Sequence, residues 1–371
     1  MSRLSAYALI GLSVLLALPR VTVAGTPFVN ETADAPTQAS GVTSMAVDAS
    51  GNPHIAYFDG LAFDLKYARK IGGSWIIETV DAAANVGTSC SIALDAQGNA
   101  SIAYYDLGNL DLKYARKSGS AWTLETVDAT GDVGKYCSLA MDLQGNPRIS
   151  YFDQTNGDLK YARKSGAWTI ETVDATGTTG LYTSLALDSQ SNPHIAYYDA
   201  LLADLKYASK TTAIWQLETV DATGNVGTQA SLALDTSNMP RIAYNDVTNS
   251  TIKLASRSSS WSSEIAITTA GQSVSLALDA SGNPRISYTQ AWLGFVSKTL
   301  GGSWVAELVE PVATSPTSNA ASCVALDREG NPRISYIDNG AADLKYADAA
   351  IHLVNPVGGE RWAAGSTQTI R

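Results

Sequence analysis

Residues 138–153 read SLAMDLQGNPRISYFD, and the phrase keeps returning along the chain. Residues 91–106 read SIALDAQGNASIAYYD, and residues 184–199 read SLALDSQSNPHIAYYD. Copies begin at Ser44, Ser91, Ser138, Ser184, Ser231, Ser275 and Cys323, with steps of 47, 47, 46, 47, 44 and 48 residues. A fixed period of this length marks a repeat architecture in which each copy is one supersecondary unit.

The unit at 138–174 shows what is repeated. SLAMD is a short strand, and LQGN is a turn whose Gly and Asn accept positive φ. PRISYFD is a second strand, with Pro at its start where a missing donor is tolerated. DLKYARK is a third strand and WTIETVD a fourth. Four antiparallel strands repeated seven times predict an all-β fold, a seven-bladed β-propeller. The strands are apolar on both sides, as expected if neighbouring blades cover both faces. Ala is the third motif residue in every copy, from Ala46 to Ala325, and a small side chain suits the crowded innermost strand.

The ends of the repeat fix the closure. Six fourth strands begin with Trp (Trp75, Trp122, Trp168, Trp215, Trp261, Trp304), and the seventh copy stops after DLKYAD. The missing strand lies at the front: FVNETAD at 28–34 matches WTIETVD, with Phe28 in the Trp place. The N-terminal strand is therefore expected to complete the last blade and remove an open sheet edge. On these motifs residues 25–348 resemble secreted bacterial seven-bladed propeller repeats, of loosely sialidase-like or WD-repeat-like architecture. The Trp-Asp signature of WD repeats and the Ser-x-Asp-x-Gly-x-x-Trp box of sialidases are both missing.

Outside the repeat, residues 1–24 read as a secretory signal: Arg3, an apolar run to Leu18, then Thr22 and Ala24 before the cut. Residues 349–371 include IHLVNPVGGERWAAGSTQTIR, which resembles the first strands of a cell-surface β-sandwich module and implies a longer polypeptide. Loss of Arg3 and Arg20 moves the formal charge from −10 to −12. An acidic exported chain is a poor partner for nucleic acid. With no second hydrophobic span, the mature chain is expected to be soluble, a monomeric propeller, secreted or at the cell surface. Three cysteines (Cys90, Cys137, Cys323) leave at least one thiol free. No spacing among them suggests a metal site, and equivalent places in adjacent blades argue against a Cys90–Cys137 disulfide.

Three sets of charges recur. Asp ends each first strand, and six residues on stands His54, Ser101, Arg148, His194, Arg241, Arg285 or Arg333. The spacing points to an ion pair across the hairpin, or an Asp capping its own turn, before a functional basic ring. Lys66/Glu78, Lys113/Glu125, Lys160/Glu171, Lys206/Glu218 and Lys253/Glu264 predict Lys–Glu contacts within the outer hairpin, and the closure predicts Lys345 beside Glu31. Gly294 breaks that rule in blade six. Asp59/Asp64, Asp106/Asp111, Asp153/Asp158, Asp199/Asp204 and Asp338/Asp343 flank one kind of loop. Calcium is one reading of them. Without an interleaved Asp-x-Asp-x-Asp-Gly loop, capping is the better one. No cofactor is otherwise expected.

Residues common to all copies are what the blade requires, so function is sought where copies differ. The loops entering the innermost strand vary most. They place Lys135, Tyr136, Tyr182, Gln229 and Gln272 around the axis, and the AWLG loop adds Trp292 on the same face. Rings with nearby polar groups suit a glycan or extracellular protein ligand. The reading is non-enzymatic recognition. A sialidase-like glycosidase, a polysaccharide lyase and an architectural spacer remain as alternatives. His54 and His194, in equivalent places of separate blades, cannot meet in a nucleophilic triad, and no catalytic residue is assigned.

Overall fold

A computed structural model describes residues 28–35, 41–83, 85–299, 301–310, 321–338 and 340–349. The expected leader and all but Ala349 of the expected C-terminal module lie outside the described residues. The described residues form twenty-eight strands in seven four-stranded antiparallel sheets, and no helix. The fold is a seven-bladed β-propeller. The blades span 43–81, 86–128, 133–174, 179–221, 226–267, 273–310 and 322–349.

Closure is as the sequence requires. Strand β1 (Phe28–Asp34) pairs with β28 (Asp343–Ala349), which makes it the fourth strand of blade seven. Within blade three the order is β10 (Val133–Met141), β11 (Pro147–Asp153), β12 (Asp158–Ser165) and β13 (Ala167–Asp174), from the axis outward. Second strands are covered on both faces: all seven residues of PHIAYFD and of PHIAYYD are buried. Tyr57, Tyr104, Tyr151, Tyr197, Tyr244 and Tyr336 fill the seams between blades.

An inner strand has no partner on its axial side, so its outward N–H groups need acceptors. The first motif residue supplies them from the preceding blade. Ser44 Oγ accepts from Ile92 N–H at 3.1 Å, Ser91 from Leu139 at 3.0 Å, and Ser138 from Leu185 at 3.0 Å. Ser184, Ser231 and Ser275 continue with Leu232, Leu276 and Val324. Cys323 Sγ closes the ring on Met45 N–H at 3.4 Å.

The outer Lys–Glu hairpin pairs do not form. A register shift between Leu65 and Lys66 sets Lys66 opposite Thr79 and Tyr67 opposite Glu78. The lysine and the glutamate therefore lie on opposite faces of the hairpin. The same shift recurs in the other outer hairpins, and at the closure Lys345 faces Thr32 while Glu31 faces Tyr346. Lysines reach instead across the seam: Lys113 Nζ lies 2.8 Å from Asp81 of blade one and 3.6 Å from Asp106 of its own blade. Tyr104 OH donates to the same Asp81 at 2.6 Å. Lys345 sits 3.1 Å from both Glu310 and Asp338. Glu78 takes the Nε1–H of Trp122 at 3.1 Å and pairs with Lys117, both from blade two. These buried seam charges hold adjacent blades together.

The seam between blades five and six lacks the Asp–Lys–Asp set as a unit, though it keeps a Lys298–Glu264 pair at 2.6 Å. Gln290, Gly294 and Ile267 stand where other seams have Asp, Lys and Asp. A Cβ on Gly294 would lie 2.2 Å from Tyr288 Cζ, so the glycine makes room for that ring.

Candidate functional site at the axial mouth

Loops from a fourth strand to the next first strand share one face with the loops between second and third strands. The entry loops carry a local device. In blades three to five the register slips at each, giving a β-bulge after a glycine. Gly180 illustrates why glycine is needed: its φ is +102°, and a Cβ there would come within 2.8 Å of Leu159 Cα. Two residues on, Tyr136 (φ 54°), Tyr182 (φ 52°) and Gln229 (φ 56°) adopt the left-handed conformation. Non-glycine residues pay ~1–3 kcal/mol for such conformations, and they persist where the surroundings over-determine them. The bulge turns these side chains towards the axis.

The axial cavity encloses about 450 Å³ and takes lining from all seven blades. Tyr136, Tyr182, Gln229 and Gln272 line it, with serines and threonines of the inner strands and Cys90, Cys137 and Cys323. The rings of Tyr136 and Tyr182 lie 4.8 Å apart, centroid to centroid. Phe152 stands 6.4 Å beyond Tyr136, and Tyr198 6.2 Å beyond Tyr182. Burial, then the adjoining Tyr182 hydroxyl, pushes the Tyr136 phenol up to about 12. It stays a neutral donor at physiological pH.

Lys135 and Trp292 are not brought onto this cavity. Strand alternation sends Lys135 the other way from Tyr136. Its Nζ is held by Asp132 Oδ2 at 2.9 Å and Gln154 Oε1 at 2.7 Å, and lies 5.4 Å from the Tyr105 ring centroid. Trp292 is exposed, in the loop between the second and third strands of blade six, on the same face but outside the cavity lining.

The cysteines are free thiols. Burial pushes Cys90 and Cys137 up, the latter to about 12. Cys137 Sγ is 3.7 Å from Ser89 Oγ. Among the described residues no group of three or more His, Cys, Asp or Glu is placed to hold a metal ion. The first aspartate of each pair caps its loop: Asp106 accepts from Asn109 N–H at 3.0 Å and from Asn109 Nδ2 at 2.9 Å, and Asp59, Asp153, Asp199 and Asp338 likewise each accept a loop N–H.

On the opposite face, the hairpin Asp and basic residues meet as the spacing requires. Asp142 accepts from Gln144 and Asn146 N–H and from Arg148 Nη2 at 2.7 Å, so capping and ion pairing occur together. His54 Nε2 is 3.5 Å from Asp48, and its Nδ1 lies against Tyr67 OH at 2.5 Å. Burial lowers the pKa of His54 and His194 and holds both neutral.

No protein-family model matches the chain, and no curated protein matches it in sequence. Solved propellers do match in fold. A catalytically inactive virginiamycin B lyase from Staphylococcus aureus, with quinupristin, is 12% identical at TM-score 0.60, covering 86% of this chain and 99% of that one. The fucose-specific lectin from Aleuria aurantia is 15% identical at TM-score 0.54, covering 77% and 100%. AofleA from Arthrobotrys oligospora is 16% identical at TM-score 0.53, covering 77% and 91%. At these identities the likeness is one of fold.

Proposed function

We propose that this protein is a non-enzymatic carbohydrate-binding propeller, secreted or at the cell surface, that takes a sugar residue at its axial mouth. The observation that carries this reading is the Tyr136–Tyr182 pair, turned by strained bulges onto a cavity that serine and threonine hydroxyls, Gln229, Gln272 and three thiols also line. Aromatic rings cover the apolar face of a pyranose while polar groups orient its hydroxyls. The fucose-specific lectin among the fold neighbours lends the sugar class support.

A lyase is the second reading, favoured by the virginiamycin B lyase likeness. The inactive form of that enzyme carries a histidine-to-alanine change. Here His54 and His194 lie at hairpins on the face away from the mouth, each against a tyrosine hydroxyl. The binding reading needs no histidine at the mouth.

A glycan-array screen, followed by calorimetry on the best ligand, tests the proposal. Tyr136→Ala and Tyr182→Ala should each weaken binding about two- to tenfold, since a ring contact is worth ~0.5–1.5 kcal/mol. Unchanged affinity in both variants, or an array with no ligand, overturns it.

A further inference from the structure

Blade three departs from its siblings at one place on the face away from the axial mouth. The second residue of each second strand, which follows a proline in every blade but blade two, where it follows Ala100, sits opposite a third-strand residue. Those pairs are His54–Arg69, Ser101–Arg116, His194–Ser209, Arg241–Ser256, Arg285–Ser297 and Arg333–Asp348. Each sets an arginine or histidine opposite a neutral or acidic partner, or, in blade one, sets Arg69 opposite a histidine that burial holds uncharged. Blade three alone sets Arg148 directly opposite Arg163. Like charges directly opposite in a sheet are destabilising.

The two arginines face a cleft of about 320 Å³ between blades three and four. Blade four contributes Lys210 and Ser191 to its lining, and blade three adds Tyr161 and Glu171. Ser191, at φ 65°, stands at a turn position that is glycine in five of the other blades. Two carboxylates serve the three cations. Arg148 Nη2 meets Asp142 at 2.7 Å, Arg163 Nε meets Glu171 at 3.4 Å, and Lys210 also goes to Glu171. Arg148 Nε is buried with no partner in the protein. The cleft thus concentrates positive charge on a chain whose formal charge is −10.

We propose that this inter-blade cleft is an anion site that takes the sulfate or carboxylate of an acidic monosaccharide unit. Guanidinium forks match the geometry of either oxyanion. The volume lies at the small end of ligand pockets, ~300–1,000 Å³, which suits one sugar ring with its charged group. An anion between Arg148 and Arg163 removes the repulsion that the other blades avoid by sequence. The site is separate from the axial mouth and does not depend on it.

The test titrates the protein with galactose 6-sulfate, glucuronic acid and galactose at low salt, read by calorimetry. At least one acidic sugar should bind with Kd below about 10 mM, and galactose should not bind this site. Binding should weaken between about 50 and about 300 mM NaCl. Arg163→Ser, the residue blades four, five and six use, should weaken it at least about tenfold without lowering the melting temperature. Tyr182→Ala should leave it unchanged, which keeps this test independent of the axial proposal. Preference for one acidic sugar identifies the group bound. The proposal is overturned if neither acidic sugar binds below that limit, or if Arg163→Ser binds as tightly as the parent.

Discussion

The Sγ of Cys323 accepts the backbone N–H of Met45 at 3.4 Å, joining residues 278 positions apart and closing the last of seven inner-strand contacts. Six of these contacts are made by serine hydroxyls at 2.9–3.1 Å. Sulfur is the weaker acceptor. Closure therefore rests at this seam on a weaker bond than elsewhere, beside the β1–β28 pairing that ties the same blade to the N-terminus.

Cys323→Ser should keep or raise stability by up to about 1 kcal/mol, because it restores the acceptor used by the other blades. Ser138→Ala should cost about 1–3 kcal/mol by leaving Leu185 N–H without its acceptor. Urea denaturation of the two variants checks both. A loss in Cys323→Ser equal to that in Ser138→Ala would show that the ring does not depend on acceptor strength.

The seam charges make a sharper case. Lys113, Asp81 and Asp106 are all largely buried, with side-chain exposures of 14%, 5% and 1%. Removing the lysine alone strands two carboxylates, so Lys113→Met should destabilise by about 3–5 kcal/mol. The seam between blades five and six shows the permitted alternative, in which Ile267, Gln290 and Gly294 change together. Adding Asp81→Ile and Asp106→Gln to Lys113→Met should recover at least half of the loss in urea denaturation. Additive losses across the three changes would contradict this coupling.

These examples show which parts of the architecture the sequence exposes. The period, the blade count and the missing fourth strand were legible because each is written locally and repeated. The Asp142–Arg148 hairpin pair was legible for the same reason. The seam partners were not. Lys113 meets Asp81 32 positions back, and Lys117 meets Glu78 39 back, but a repeat offers the same residue types at many separations. A one-residue register slip at Leu65/Lys66 was enough to turn the expected Lys–Glu face away. Serine at the head of six copies was a visible signal of the inner ring. Without knowing that the inner strand lacks a partner, nothing in the sequence gave it a role. At the mouth, variation between copies located Tyr136, Tyr182, Gln229 and Gln272. It could not separate them from Lys135, whose direction is set by strand alternation.

The buried histidines set a pH response. His54 and His194 have lowered pKa values in the fold, through burial against the opposing pull of Asp48 and Asp188. The unfolded chain takes up protons below its ordinary histidine pKa of about 6.5, while the folded chain does not. The stability due to neutral histidines is therefore full above that pH and is lost as pH falls towards the depressed values. His54→Ser combined with His194→Ser, the residue blade two uses at Ser101, should flatten that part of the stability–pH curve. Urea midpoints at about pH 7.5, 6.5 and 5.5, which bracket the ordinary histidine pKa, provide the comparison. Parallel curves for parent and variant would refute the assignment.

The mouth itself can be tested without touching a ring. Gly180 needs both its positive φ and its closeness to Leu159, whereas Gly166, at φ +89°, has nothing within 4 Å of an added Cβ. Gly166→Ala should therefore cost only backbone strain, about 1 kcal/mol, and leave sugar binding unchanged. Gly180→Ala adds a clash with the neighbouring backbone, so its cost should reach about 2–3 kcal/mol. More tellingly, it should move Tyr182 off Tyr136 and weaken binding at the mouth about as much as Tyr182→Ala does. Calorimetry on the ligand found by the array measures the second effect, and urea denaturation the first. If Gly180→Ala lost stability yet bound the sugar like the parent, the bulge would be a packing feature of the blades, and the aim of Tyr182 would owe nothing to it.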